Sequence, residues 1–286
     1  MKYLNLNDGN KIPMMGIGTF LLTPDEAENS VYNALKDGYS LIDTANAYVN
    51  EKAVERGIRR AIEEGIVTRE EVYLETKIWP SFYEDESAVD KTLERLGVDY
   101  IDMLILHQPA GNYVAGYKML EKAKKEGKVK SIGISNFTIE QMEDLLSQTE
   151  IVPSLTQVEA HPYFPQTELK KYLDEKGIVL QAWYPLGGKG NDSVLSEEVF
   201  ARIGEKYSKT PAQAILRWHI DSNNIVIPGS RNEEHIRQNI DIFDFELTDE
   251  DMAEIAKIQK PAPFYNQTQD KLDGYAMWRP DVDGQK

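Results

Sequence analysis

Eight times along this chain a short apolar run is followed by a stretch that begins like a helix, and that alternation limits the folds open to it. The runs start near residues 14, 41, 73, 101, 130, 155, 178 and 225. Runs this short and this apolar are the pattern of strands covered on both faces, the condition of a parallel sheet. Helix starts stand between them. Thr23-Pro24-Asp25-Glu26, Thr68-Arg69-Glu70-Glu71, Thr138-Ile139-Glu140-Gln141 and Thr210-Pro211-Ala212-Gln213 each set a carboxylate or amide three residues after a threonine, the spacing of a reciprocal cap. Gly38, Gly97 and Gly127 close three of the helices, and Asn232 can cap a last one. Eight such units predict a closed (β/α)8 TIM barrel, in the α/β class, over an open doubly wound sheet. Its 286 residues suit one barrel and no Pro/Ser-rich linker divides them, so residues 1–286 are read as a single domain.

Two segments lie outside the alternation. Tyr3 to Pro13 carries Asp8-Gly9 at its centre, which predicts a β-hairpin ahead of the barrel. After Pro261 the pattern fails, leaving an irregular tail with Tyr275, Met277 and Trp278. Such a tail is a frayed terminus or a loop over a pocket, and its aromatics favour the second.

Charge and composition exclude several roles. Asp and Glu number 48 against 32 Lys and Arg, a formal charge of −16, which repels nucleic acid phosphates and an anionic membrane surface alike. No run approaches the ~20 apolar residues that cross a bilayer, and the first residues lack the apolar core of a signal peptide. Cysteine is absent, so disulfides and thiolate chemistry are excluded, as suits the cytoplasm. His107, His161, His219 and His235 are the only histidines, and none are paired at ligand spacing, so no metal is expected.

Three successive runs end on reactive side chains. Leu41-Ile42-Asp43 leads to Tyr48, Val72–Thr76 delivers Lys77, and Ile101–Leu106 delivers His107. Taken singly, each has an ordinary structural reading. Together at strand ends of a barrel they describe one site. An ammonium beside a phenol lowers its pKa, a carboxylate keeps the ammonium charged and aimed, and a neutral imidazole orients a substrate oxygen. The set is a proton donor facing a carbonyl that gains negative charge.

At these residues the chain resembles the aldo-keto reductases. Asp-Thr-Ala-x-x-Tyr at 43–48, Thr-Lys at 76–77, Leu-x-His at 105–107, Gly-Ile-Ser-Asn-Phe at 133–137 and Ile-Pro-x-Ser at 227–230 follow the family pattern in order. The likeness is nearest the bacterial branch that includes 2,5-diketo-gluconate reductases. It implies reduction of an aldehyde or ketone by hydride from NADPH or NADH, with Tyr48 as acid, Asp43 and Lys77 tuning it, and His107 orienting the carbonyl. Ser135, Asn136 and Gln157 would hold the nicotinamide amide. Trp183 would stack on its ring, or else pack in the core. The run from Leu186 and Gly187 to Gly190 can wrap the pyrophosphate with backbone N–H groups. Gly229, Ser230 and Arg231, with His235, correspond to the adenosine 2′-phosphate site. Further cofactor contacts are implied for Thr19, Phe20, Asp43, Gln238 and Asn239. Phe20, Tyr48, Trp79, His107, Gln108 and Trp278 would line the substrate pocket, with Tyr113 a further wall.

Two departures matter. Gly229 and His235 stand where the family usually has a lysine and an arginine. Charge-assisted contacts are worth about 1.5–3 kcal/mol each, so NADH use is expected beside NADPH, with Arg231 recovering part of the phosphate affinity. Gln108 follows His107 where the family often has tryptophan, giving a more polar pocket wall. Two rival readings remain: an enzyme that uses Lys77 as a Schiff-base amine, and a non-catalytic protein that binds the cofactor.

Overall fold

Residues 1–187, 193–258 and 263–285 are described by a computed structural model. The eight runs form β3 (Gly16–Gly18), β4 (Leu41–Asp43), β5 (Tyr73–Ile78), β6 (Ile101–Leu106), β7 (Val129–Ser135), β8 (Leu155–Glu159), β9 (Val179–Trp183) and β10 (Ile225–Val226). They lie side by side in chain order, every pair parallel. A parallel bridge from Met15 to Val226 joins the ends, and Val226 N–H donates to Met14 O at 3.0 Å. That seam closes the sheet into the expected barrel.

The hairpin is present as β1 (Tyr3–Asn5) and β2 (Lys11–Pro13), paired antiparallel. Leu6 and Ile12 are buried with Leu41, Met103 and Leu155 of the barrel lining. Asn7 Nδ2 donates to Pro153 O, just ahead of β8, at 2.9 Å. The hairpin therefore covers the end where the strands begin, and the opposite end is left for the site.

Around the sheet run α1 (Pro24–Lys36), α2 (Glu51–Glu63), α3 (Ala88–Leu96), α4 (Tyr113–Lys125), α5 (Ile139–Gln148) and α6 (Thr167–Lys176). They are followed by α7 (Glu198–Tyr207), α8 (Pro211–Asp221), α9 (Glu233–Ile240), α10 (Asp249–Ala256) and α11 (Gln269–Met277). Thr23, Thr138 and Thr210 form the reciprocal caps that the sequence suggests. The Thr68 box instead caps a single 3-10 turn, Arg69–Glu71, because β5 begins two residues later. Gly57 lets α2 press on α1; a Cβ there would fall 2.6 Å from Glu28 O.

Helix α7 lies outside the sequence expectation. It packs Phe200 and Ile203 against Ile215 and Trp218 of α8 in a cluster of their own. The tail also differs from its expectation: it is not irregular throughout but contains α11, capped by Thr268. Only Leu272 of that helix is buried, so it has no apolar stripe for a periodicity argument to find.

A buried ion pair ties α2 and α3 to β5. Arg95 Nε donates to Glu51 Oε2 at 2.6 Å and Thr76 Oγ1 donates to Glu51 Oε1 at 2.8 Å. Removing one partner of such a pair leaves the other desolvated and costs about 3–5 kcal/mol. Arg95→Met is therefore expected to lose about 3 kcal/mol or more in guanidinium unfolding; a loss below ~1 kcal/mol would show that the pair does not stabilise the fold.

Candidate active site

Parallel strands deliver their C-terminal ends to one mouth, and the polar residues there are those that interrupt or follow the apolar runs. Asp43 ends β4, Lys77 lies near the end of β5, and His107 follows β6. Ser135 ends β7, Gln157 lies in β8 and Trp183 ends β9. All of them but Lys77, which lies behind the wall, line a cavity of about 1550 Å³ that also reaches Gly229, Ser230, Arg231 and His235. A short 3-10 turn, Asn46–Tyr48, carries Tyr48 from the end of β4 to the cavity wall.

Lys77 is the hub of the four expected groups. Its Nζ donates to Asp43 Oδ1 at 2.5 Å, to Thr44 O at 2.9 Å and to the Tyr48 hydroxyl at 3.2 Å. The lysine side chain is wholly buried. Burial works against its charge, but its acidic neighbours, Asp43 first among them, outweigh it and hold its pKa above the ordinary lysine value. The half-buried Tyr48 departs from expectation. Burial pushes its phenol up to about 12, against the opposite pull of Lys77. The ammonium moderates the phenol without making it acidic on its own, so Tyr48 keeps its proton at neutral pH.

His107 completes the group. Its ring meets Tyr48 edge-on, with centroids 5.5 Å apart, and Trp79 at 5.0 Å. Burial, and then the charge on Lys77, drives its pKa well below the usual histidine value. Both effects favour the neutral imidazole over the charged one. Its Nδ1 has no hydrogen-bond partner among the described residues. A phenol with its proton, a fixed ammonium behind it and a neutral imidazole beside it can bind a carbonyl oxygen and protonate it as charge builds there.

The residues expected around a cofactor fall into three groups. Ser135, Asn136, Gln157, Trp183, Leu186, Gly187 and the Gly229–Arg231 segment, with His235, line the cavity. Ser135 Oγ is buried without a partner among the described residues. Asn136 is held at a φ of +64°, and its Oδ1 accepts from Trp183 Nε1 at 2.8 Å. A Cβ on Gly229 would sit 3.0 Å from Gly18 O, so the loop after β10 lies against the end of β3. Thr19, Gln238 and Asn239 do not reach the cavity wall. Thr19 Oγ1 donates to Asp43 O at 3.0 Å, Gln238 Nε2 donates to Glu234 Oε1 at 2.7 Å, and Asn239 is buried. Gly188, Lys189 and Gly190 lie outside the described residues. An unpartnered serine hydroxyl, an amide pair and close-approach glycines along one wall fit an amide-bearing ring and a diphosphate.

Phe20, Trp79, Gln108 and Trp278 also line the cavity, with Trp79 packed on His107 and Trp278. Gln108 Oε1 is buried without a partner among the described residues, so the polar wall has an acceptor to offer. Tyr113, expected as a further wall, turns away: its hydroxyl donates to Asp144 Oδ2 at 2.5 Å and its ring packs on Phe137. Sequence reasoning missed Tyr265 and Lys271, which line the cavity from the tail together with Tyr275, one of the aromatics it had placed over a pocket. Missed too was the tail's anchor. Glu159, at the end of β8, accepts from Phe264 N–H at 2.6 Å and Tyr265 N–H at 2.8 Å, with His161 Nε2 at 2.9 Å. An acid closing an apolar strand, with a histidine two residues on, was the only available signal.

Such a barrel and mouth define an oxidoreductase that reduces carbonyl groups with a nicotinamide cofactor. The pattern of the Aldo/keto reductase family matches residues 14–260, and the chain belongs to that family. An aldo-keto reductase of Mycolicibacterium smegmatis is 42% identical over 262 residues, 90% of this chain and 93% of the relative. The glyoxal reductase of Bacillus subtilis is 42% identical over 262 residues, covering 90% and 92%. The crystal structure of a Bombyx mori aldo-keto reductase in complex with NADP superposes with a TM-score of 0.88 at 33% identity, covering 93% of this chain and 95% of that one.

The electrostatics around His107 have a direct test. Nitrogen NMR of the imidazole is expected to show one neutral tautomer from about pH 5.5 to about pH 8, where an exposed histidine would titrate; a midpoint inside that window would refute the neutral ring.

Proposed function

We propose that the chain reduces small aldehydes or ketones with Tyr48 as the proton donor, and that it accepts NADH as well as NADPH. The observation carrying the first part is the line Asp43–Lys77–Tyr48, with its contacts of 2.5 and 3.2 Å. The bound nicotinamide supplies the hydride. The remaining work falls to side chains. His107 donates a hydrogen bond that orients the carbonyl, and Tyr48 transfers its proton to the oxygen as negative charge develops. Lys77 stabilises the phenolate left behind, and Asp43 holds Lys77 in place. Ser135, Asn136 and Gln157 would bind the amide of the cofactor, and Trp183 would stack on its ring.

The Schiff-base reading of Lys77 is disfavoured by its environment. A nucleophilic amine must lose its proton and reach substrate, whereas Lys77 is fully buried, spends three hydrogen bonds on neighbours and has its pKa raised. A purely cofactor-binding role would leave the four groups without a use. The same reading takes residues 1–286 as one working unit in the cytoplasm. The charge of −16 supports the absence of nucleic acid from its partners. The glyoxal reductase relative makes α-dicarbonyls the first substrates to try. Tyr48→Phe is expected to lower kcat by at least ~10³-fold while nicotinamide binding, read by fluorescence, stays within about threefold; unchanged turnover would remove Tyr48 as the acid.

Support for NADH use comes from the adenosine end. Gly229 and His235 replace two cations, and Arg231 is engaged, with Nη1 donating to Glu26 Oε1 at 3.0 Å. Glu26 thus competes with a 2′-phosphate for that guanidinium. Initial rates are expected to give kcat/KM values for NADH and NADPH within about tenfold, and Glu26→Gln should move the ratio toward NADPH by about threefold to tenfold. A thousandfold NADPH preference in the unaltered protein would overturn this.

A further inference from the structure

Glu75 is a wholly buried carboxyl inside the barrel that the reaction as described does not use. It sits on β5 two residues before Lys77, directly across the strand pair from Asp43. On its other side β6 presents Met103, which offers no hydrogen bond. Its polar neighbours are therefore few. Gln157 Nε2 lies 3.1 Å from Glu75 Oε1, and Gln181 Nε2 lies 3.2 Å from Glu75 Oε2.

Counting hydrogens shows what is missing. The Gln157 amide has two, yet it faces three acceptors: Asp43 Oδ1 at 3.1 Å, Glu75 Oε1 at 3.1 Å and Gln181 Oε1 at 2.6 Å. The three hydrogens of Lys77 are taken by Asp43, Thr44 and Tyr48, leaving none for Glu75. An ionised carboxylate only accepts, and it wants several donors when dry. Here it would have one full donor and a share of another, with Asp43 as a second negative charge beside it. A proton on Glu75 repairs the count by adding a donor and removing a charge.

We propose that Glu75 is a positioning residue of the reductase centre, held as the neutral acid within the Asp43–Gln157–Gln181 cluster, so that the core sets a single carboxylate, Asp43, against the Lys77 ammonium. Other groups facing it agree. Burial first, and then the charge of Asp43, push Glu75 well above the carboxylate range, against a smaller opposing pull from Lys77. Tyr73, on the same strand, is itself pushed well above the ordinary phenol value by burial and then by Glu75, so it stays protonated and adds no charge. Tyr48 feels the cluster too, since negative charge on Glu75 raises its pKa. A neutral Glu75 thus keeps Tyr48 a better acid than an ionised one would allow. Through the Gln157 amide it also links the groups around Lys77 to a residue that lines the cavity.

The inference builds on the reading of Tyr48 as acid, and its test separates the two. Infrared spectra of the protein with labelled glutamate are expected to show the C=O stretch of a protonated buried carboxyl, constant from about pH 6 to about pH 9 and absent in Glu75→Gln. No turnover is needed for that measurement. Glu75→Gln, which is neutral and still donates, should keep kcat within about threefold with an unshifted pH profile. Glu75→Leu, which is neutral but cannot donate, should lose about tenfold or more in kcat with KM for the carbonyl substrate unchanged. Should the leucine variant fail to fold, Glu75→Val, which also cannot donate, takes its place, and the infrared and glutamine measurements still decide. A missing C=O band, a displaced pH profile in Glu75→Gln, or full activity in the leucine or valine variant each overturns the proposal. Loss of the Tyr48 assignment is read separately, from the Tyr48→Phe variant.

Discussion

Burying an ammonium inside a protein is unfavourable unless a negative partner and good hydrogen bonds come with it. The contact of Lys77 with Asp43 is that arrangement here, at 2.5 Å and almost fully out of solvent. Much of the barrel serves it. The two residues stand on adjacent strands whose register puts Asp43 opposite Glu75, two residues before Lys77. The closed sheet excludes water from below, and the hairpin covers the far end. Opening the seam at Met15 and Val226 would let water reach the pair from within.

The pair also shapes what surrounds it. Lys77 helps to keep His107 neutral and partly offsets the burial of Tyr48. One charge thus sets two opposite conditions: an imidazole without its extra proton and a phenol with its own. The acid strength needed for catalysis is not present in the resting phenol. It has to emerge as the substrate oxygen becomes negative, when a proton held by Tyr48 gains a much stronger acceptor.

The barrel was legible because strands buried on both faces have to be apolar nearly throughout, and helix caps follow fixed spacings. Asp43, Lys77 and His107 were legible because they end three successive runs; each alone has an ordinary structural reading, and only the set describes a site. The direction of the Tyr48 shift was not, because it depends on how deeply the phenol is buried against how near the ammonium lies, and spacing along the chain gives neither. Glu75 escaped notice because it opens a polar run, Glu75-Thr76-Lys77, in which the lysine carries the obvious chemistry; only closure of the sheet turns position 75 inward. Glu159 was missed because its partners are backbone groups over a hundred residues away. Helix α11 was missed because it covers the mouth of a cavity and not a core, and so carries no regular apolar stripe.

The tail is fastened along its length: by Glu159 to residues 264 and 265, by Asn136 O to Gln267 Nε2, by Asp85 to Arg279 and by Lys52 to Gln285. Every one of those anchors belongs to the barrel, which is already closed by Val226. A ribosome therefore completes the catalytic centre before it has made the part of the cavity wall that the tail supplies, Tyr265, Tyr275 and Trp278. The order of synthesis divides the molecule into a chemistry that comes first and a selectivity laid over it afterwards. Tyr265, Tyr275 and Trp278 can be exchanged without reopening the first.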